Sequence, residues 1–293
     1  MMEKHLTRRR VLTSTIVSLA GITSCQAKPP KKERISSFRF CLNTGTIRGY
    51  DLPLDQKLER IAAAGYRHIE PWMGEIRDFL NRGETLQTLA RRMDDLGLRV
   101  ESAISFPQWI VDADIKRRSA LEQMKQEMDL LAGIGGKRIA APPSGATSGE
   151  KLDLNRIAER YRATLELGDR TGVVPQLELW GGSRNLSRLS EVMYVLLECG
   201  HPKASMIGDP FHMYKGGSDF QGLQKIDGTA MQVFHMNDYP PSPPRDQLKD
   251  ADRIFPGDGI APLAEILRGF RSHGGGQVLS LELFNPNYWK EDI

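Results

Sequence analysis

Four side chains able to bind a metal ion or move protons stand near the ends of successive apolar runs in the second half of the chain. The runs are VPQLELW, ASMIGD, MQVFHMND and QVLSLELF, and the side chains are Glu178, Asp209, His235 and Glu282. Because strand residues alternate faces, all four are expected to point to the same inward side. Three carboxylates gathered around one imidazole repel strongly unless a cation lies among them. The pattern therefore predicts a site for one divalent metal ion.

The ligand types indicate which ions suit this site. Three carboxylates and one imidazole favour a hard or borderline ion with six ligands, which leaves room for water or substrate oxygens. Mn²⁺, Mg²⁺ and Co²⁺ fit better than a closed structural zinc site. Cys41 and Cys199 are far apart and belong to no Cys-x-x-Cys motif, so we interpret both as buried structural thiols.

The elements that must position these residues are short apolar runs separated by helical patterns. Eight runs occur, at residues 38–43, 67–72, 99–105, 137–143, 174–180, 204–209, 231–238 and 277–284. Most of the intervening segments have apolar residues at helical spacing. Alternating strands and helices indicate right-handed βαβ units and a parallel sheet. Eight units over about 255 residues predict an α/β fold of the (β/α)₈ barrel type, with an open doubly wound sheet as the alternative.

Two details bear on this fold prediction. The glycines of AGIGGK follow a helical pattern and precede a strand, which is the reverse of the order in a dinucleotide-binding fingerprint. Only NPNYWKEDI follows the eighth run, so the last helix is expected to be reduced or missing. A partner subunit is one option for covering that part of the wall, which makes a homo-oligomer possible. The four candidate ligands lie toward the carboxyl ends of strands five to eight, the catalytic face of such barrels.

The motifs LELW, GDPFH, FHMND and LSLELF, together with FPGDG at 255–259, resemble the xylose isomerase-like barrel superfamily of sugar isomerases and epimerases. The resemblance implies one Mn²⁺- or Mg²⁺-like ion held by Glu178, Asp209, His235 and Glu282. It also implies that Glu178 and Glu282 are the catalytic acid/base pair, and that His212 contacts substrate oxygens.

Such a site predicts chemistry on a keto sugar or related polyol. One glutamate removes the proton beside the carbonyl to give a metal-stabilised enediolate, and a proton returns to the other face or to the neighbouring carbon. The result is epimerisation or isomerisation. Two alternatives remain open: a 3-keto-glycoside lyase or hydrolase that uses the same metal site, and a non-catalytic sugar-binding lipoprotein.

Further candidates lie at the ends of the earlier strands. The resemblance implies a substrate-side acid at the end of strand two, where Glu70 stands in HIEPW, and Asn43 ends strand one. Strand-end aromatic residues offer an apolar wall to a sugar face, with rim packing as the alternative, and Asp238 orients His235 or binds a loop. The aromatic residues are Trp72, Phe106 and Trp180.

One position departs from the resemblance. Ketose 3-epimerases carry an arginine six residues after the metal histidine, where this chain has Pro241, and Arg245 is the nearest substitute. The DNA-repair branch of the superfamily needs extra histidines on strands two and three. The third run, RVESAIS, has none.

The N-terminal residues have the composition of an export signal. Basic MMEKHLTRRR precedes a short apolar run and Cys25, and the segment around Arg8, Arg9 and Arg10 resembles a twin-arginine signal. An ordinary secretory signal is the alternative. ITSC resembles a lipobox, which implies a lipid on Cys25. We therefore predict a signal peptide at 1–24, a flexible tether at 25–36 and a barrel at 37–293, in a periplasmic or membrane-anchored bacterial protein.

The charge distribution limits the partners. Residues 1–34 hold eight Lys or Arg against two acids, so the formal net charge of +3 leaves a mildly acidic remainder. This remainder offers no basic surface for nucleic acid. We expect a small carbohydrate as substrate, and contact with a membrane only through the lipid anchor.

Overall fold

The computed structural model describes residues 38–292. The predicted signal segment, the lipidated Cys25 and the tether lie outside this range and stay predictions. In the described range, no helix combines the length and the apolar character that crossing a bilayer requires.

Eight parallel strands in residues 38–292 form one curled sheet, which is the predicted α/β barrel. The strands are β1 (Arg39–Asn43), β2 (His68–Glu70), β3 (Arg99–Val100), β4 (Arg138–Ala141), β5 (Val174–Glu178), β6 (Met206–Gly208), β7 (Val233–Met236) and β8 (Val278–Leu281). Their order in the sheet is β3-β2-β1-β8-β7-β6-β5-β4. Between β3 and β4, where the ladder is open, Ala140 N donates a 2.8 Å hydrogen bond to Ala103 O.

Helices surround this sheet. Five of them coincide with segments whose apolar residues recur at helical spacing in the sequence. Local caps define several helix ends. Thr85 Oγ1 accepts a hydrogen bond from Thr88 N at the start of the helix Leu86–Asp95, and Gly172, with a φ of 77°, ends the helix Leu154–Thr171. The α-helices are α1 (Leu54–Ala63), α2 (Met73–Asn81), α3 (Leu86–Asp95), α4 (Asp114–Gly133), α5 (Leu154–Thr171), α6 (Leu189–Glu198), α7 (Pro210–Gly216) and α8 (Leu263–Ser272). The 3-10 helices are Thr44–Tyr50, Phe220–Lys225, Asp250–Asp252 and Tyr288–Lys290.

The outward and inward faces of the strands pack in two different apolar clusters. Leu177 and Leu179 belong to the large core between the strands and the helices. Ile207, Val233 and Val278 belong to a smaller cluster inside the barrel. The inward side therefore also carries the residues two positions further along each strand, as the alternation of the sequence predicts.

The wall beside β8 has little cover. After β8, the described chain contains only the short 3-10 helix Tyr288–Lys290, so the last helix is reduced as expected. Trp289 donates a 2.8 Å hydrogen bond to Thr46 O and closes the top of this wall. Lower down, Phe40 on the outward face of β1 is 67% exposed. Cys41 and Cys199 are buried free thiols, as predicted.

Candidate active site and metal centre

The four predicted ligands converge at the carboxyl ends of β5 to β8. Glu178 is the last residue of β5, His235 lies within β7, and Asp209 and Glu282 directly follow β6 and β8. All four are buried, with at most 3% exposure. Asp209 also caps α7, because its Oδ1 accepts a 3.0 Å hydrogen bond from His212 N. The start of that helix therefore fixes the direction of the carboxylate.

The histidine is at the centre of the cluster. His235 Nδ1 lies 3.2 Å from Glu282 Oε2, 3.7 Å from Asp209 Oδ2 and 3.8 Å from Glu178 Oε1. Ligand atoms of Glu178, His235 and Glu282 all lie within 4.8 Å of one another. Among the described residues, His235 Nδ1 and Glu178 Oε2 are buried with no hydrogen-bond partner. Buried polar atoms of this kind require a partner, and a divalent ion between them would supply it.

A buried arginine completes the cluster, and the sequence analysis did not identify it. Arg253 Nη1 donates to Asp209 Oδ2 at 2.7 Å and to Glu282 Oε2 at 2.9 Å. Its Nη2 lies 3.0 Å from His212 Nε2. Arg245, the substitute named from the sequence, is exposed and is not among the residues that line the cavity. Arg253, and not Arg245, is therefore the arginine that the structure brings to the cluster.

The loop after β7 explains why Arg253 points inward. Asp238 and Ile254 pair through two backbone hydrogen bonds of 2.9 and 3.0 Å, which bring residue 253 over the barrel. The Asp238 carboxylate accepts from the backbone N–H groups of Gly257 and Ala261. Of the two roles predicted for Asp238, the structure supports the one of binding a loop. The sequence contained one indication of Arg253, which stands two residues before FPGDG, a loop motif that belongs to the family resemblance.

Glu70 and Asn43 lie beneath the cluster, where neither lines the cavity. Glu70 Oε2 lies 3.1 Å from His235 Nε2 and accepts hydrogen bonds from Ser280 Oγ and Asn43 Nδ2. Asn43 Nδ2 also donates to Glu282 Oε1 at 3.0 Å. Neither side chain reaches the cavity itself, and their predicted contact with substrate stays a prediction. Strand parity gives the face of a residue, and Glu70 and Asn43 lie on the inward face one layer below the cluster.

A cavity of roughly 510 Å³ opens above the cluster. Glu178, Glu282 and Arg253 line it, and so do His212 and Trp180, as their predicted substrate-binding roles require. Asp209 and His235 do not line it. Gly181 allows the close approach of the loop after β5 to α7, because a Cβ there would lie 2.1 Å from His212 O. Further aromatic residues form the walls, namely Trp72, Phe106, Phe211 and Phe284.

The charges of the cluster shift its pKa values in opposite directions. Burial, together with the negative charges of Glu282 and Asp209, raises the pKa of Glu178 to about 8. Although burial opposes it, the charge of Arg253 holds the pKa of Asp209 far below its usual range. Burial is also outweighed at His235, whose pKa the charges of Glu282 and Glu70 raise well above the usual value. Both shifts favour the protonated forms of Glu178 and His235 in the metal-free protein.

Metal uptake is therefore expected to release protons. Ligands must lose their protons to bind, so the apparent metal affinity should rise by up to about tenfold per pH unit for each displaced proton. The contribution of Glu178 to this rise should end when the pH passes about 8. Calorimetric titration with Mn²⁺ or Zn²⁺ in buffers of different ionisation enthalpy counts the released protons. An affinity that does not change between about pH 6 and pH 8 would contradict this assignment.

The stability of the metal-free protein has the matching pH dependence. The unfolded chain releases the Glu178 proton near pH 4.5, whereas the folded protein keeps it up to about pH 8. Protonation is therefore favoured by folding in this window, and the contribution of Glu178 to the free energy of unfolding falls as the pH rises through it.

Comparison with known proteins places this geometry in a family. The model of the "Xylose isomerase-like TIM barrel" family matches residues 58–293. The chain belongs to this family. The (β/α)₈ sheet and the position of the cluster at the carboxyl ends of its strands agree with this assignment.

Several curated proteins have sequences similar to this chain. The inosose isomerase of Bacillus velezensis is 26% identical over 259 residues, which cover 86% of this chain and 90% of that protein. The inosose isomerase of Bacillus licheniformis is 28% identical over 177 residues, which cover 59% of this chain and 63% of that protein. A 3-dehydroshikimate dehydratase of Pseudomonas putida is 23% identical over 237 residues, which cover 80% of this chain but only 36% of that protein.

A solved structure shares the same fold. The crystal structure of the IOLI protein with a bound zinc atom superposes with a TM-score of 0.78 at 22% identity, and covers 86% of this chain and 91% of that chain.

Proposed function

We propose that the protein is a divalent-metal-dependent isomerase or epimerase that transfers a proton beside the carbonyl of a keto sugar or cyclic polyol ketone. The carrying observation is that, of the four predicted ligands, Glu178 and Glu282 line the cavity while Asp209 and His235 do not. Two carboxylates from β5 and β8, which two intervening strands separate, approach a substrate from different sides. They are the groups placed to exchange protons with it.

The residues fit a metal ion as well as a proton transfer. Glu178, His235 and Glu282 would hold it, with Asp209 beside them, and Glu70 would keep His235 in place through Nε2. When bound, a divalent ion supplies a Lewis acid that polarises the substrate carbonyl. The zinc in the IOLI crystal structure supports a divalent ion here too.

The other side chains have roles that follow from their contacts. Arg253 lines the cavity with its guanidinium fixed by Asp209 and Glu282, so it is placed to stabilise negative charge on a substrate oxygen. Glu178 Oε2 has no hydrogen-bond partner among residues 38–292 and is free to accept or return a proton. Trp180 and His212 form the adjoining wall for the sugar.

A second candidate is a lyase that begins with the same proton abstraction and then expels a leaving group from the next carbon. The named dehydratase of Pseudomonas putida is the observation that favours it. His212 lines the cavity and its Nδ1 has no partner in the described chain, so it is available to hydrogen-bond a leaving group.

Solvent exchange distinguishes these functions. Purified protein loaded in turn with Mn²⁺, Co²⁺, Zn²⁺ or Mg²⁺ is incubated in D₂O with an inosose, with ketohexoses and with a 3-keto-glucoside. Acid-quenched products are analysed by mass spectrometry and chromatography. We expect metal-dependent deuterium incorporation with the carbon skeleton retained, and none after treatment with a chelator. Loss of water or of an aglycone would identify the lyase, and binding without exchange or release would overturn both enzymatic proposals.

A further inference from the structure

An arginine at the cavity mouth has no role in the chemistry described so far. Arg48 lies in the 3-10 helix Thr44–Tyr50, and it lines the cavity. Its guanidinium carbon lies 4.5 Å from the ring centroid of Phe284, 5.5 Å from that of Trp289 and 5.6 Å from that of Trp72. Three aromatic rings therefore confine an otherwise flexible side chain to one region of the mouth.

The guanidinium has no anion to neutralise it. In residues 38–292, the side chain of Arg48 forms neither an ion pair nor a hydrogen bond, and it is exposed to solvent. Arg253, by contrast, contacts three carboxylates, those of Asp209, Glu282 and Asp250. A guanidinium that packs against aromatic rings keeps its N–H donors in the plane of the group, where they match a carboxylate or phosphate.

The surrounding mouth is also positive. Lys215 lines the cavity, and its ammonium group donates to the backbone carbonyls of Leu248 and Asp246 rather than to a carboxylate. Lys249 lines the cavity as an exposed residue. Asp250, which follows Lys249 in the chain, already pairs with Arg253. Positive charges that share one opening attract an anionic ligand and repel a cationic one.

The arginine is close enough to the reacting end to act on the same molecule. Phe284 contacts both arginines, because its ring centroid is 4.5 Å from the Arg48 guanidinium carbon and 5.2 Å from that of Arg253. The two guanidinium carbons cannot be farther apart than the sum of these distances. Arg253 contacts Glu282 directly. A sugar-sized molecule held at Glu282 can therefore reach Arg48 with its far end.

We propose that Arg48 determines specificity by binding an anionic substituent, a carboxylate or a phosphate ester, at the end of the substrate remote from the reacting carbon. This inference rests on the proposed function only for the placement of the reacting end at Glu178 and Glu282. It adds a substrate class, the anionic keto sugars and cyclic keto acids.

A matched ligand series tests the inference by binding alone. The probes are a neutral ketohexose, the corresponding ketohexuronate and the ketohexose 6-phosphate, titrated calorimetrically into metal-loaded protein. We expect the wild-type protein to bind at least one anionic probe more tightly than the neutral one. Arg48→Gln should weaken that binding by about 10- to 100-fold and leave the neutral probe unchanged. The probe with the larger loss tells a carboxylate from a phosphate.

Two further variants separate binding from structure. Arg48→Lys keeps the charge but loses the planar donors, so it should restore part of the affinity. Arg245→Gln removes an exposed arginine outside the cavity lining and should change nothing. A purely structural role in packing Trp289 would instead weaken neutral and anionic probes equally.

The possible outcomes keep this inference distinct from the proposed function. Equal affinity of the wild-type protein for neutral and anionic probes, including no binding of any, overturns the role of Arg48. Equal losses for all probes in Arg48→Gln overturn it as well. Selective binding without deuterium exchange would support Arg48 and sink the proposed enzyme, whereas exchange without selectivity would do the reverse.

Discussion

Replacing Glu282 by glutamine is expected to slow substrate interconversion by about 10²- to 10⁴-fold, the usual contribution of a general acid or base. Glutamine keeps the size of the side chain and a hydrogen-bond acceptor for Asn43, but it cannot take up a proton. The rate is measured as deuterium incorporation and product formation in D₂O. Glu282 is also a candidate metal ligand, so the metal content of the variant must be determined alongside and the metal supplied in excess.

Comparison with Glu178→Gln makes the result specific. If the two glutamates serve opposite faces of one carbon, each variant should lose interconversion but keep deuterium exchange in one of the two epimers. If one glutamate carries the proton between neighbouring carbons, only one of the variants should lose exchange. Glu265→Gln, an exposed change on α8, is the control and should retain the wild-type rate. Unchanged turnover in metal-loaded Glu282→Gln would remove the acid/base role assigned to it.

The strand pattern alone predicts which four side chains converge in the cluster. A period of two residues places a side chain inside or outside the barrel, and a shared position at the strand end brings Glu178, Asp209, His235 and Glu282 together. The same rule also selected Glu70 and Asn43, but it says nothing of depth along the barrel axis. Their depth in the barrel follows only from the structure, in which Glu70 contacts His235 Nε2.

The two cavity-lining arginines that the sequence did not predict lie in the connections that follow the strands. Arg253 has no strand or helix period to reveal it, and it reaches the cluster through the pairing of Asp238 with Ile254, residues 16 positions apart in the chain. The residue six positions after His235 is Pro241, whereas Arg253 follows His235 by 18 positions. A fixed spacing from the histidine therefore does not identify Arg253. Arg48 was missed for the same reason, since its position depends on packing against Phe284 and Trp289, far away in sequence.

Replacing Arg253 by methionine is expected to destabilise the metal-free protein by about 3–5 kcal/mol, because a buried ion pair has lost one partner. The carboxylates of Asp209 and Glu282 would then face each other with no guanidinium between them. Their mutual repulsion, together with the burial of both side chains, would destabilise the folded protein. Chemical denaturation, followed by far-ultraviolet circular dichroism, measures the loss. Arg268→Met, an exposed change on α8, is the control of equal chemistry.

The pH and metal dependence of this loss identify its cause. In the wild-type protein the pKa of Asp209 lies far below its ordinary value of 3.8, so its contribution to stability is present above that value and is lost as the pH falls through the folded-state pKa. Without Arg253 the Asp209 carboxylate takes up a proton more readily, and the difference between variant and wild type should shrink as the pH is lowered. A divalent ion replaces the missing positive charge, so excess Zn²⁺ or Mn²⁺ should recover part of the stability at pH values where the carboxylates are ionised. A metal-free variant as stable as the Arg268→Met control would show that Arg253 is not the counter-charge of this cluster.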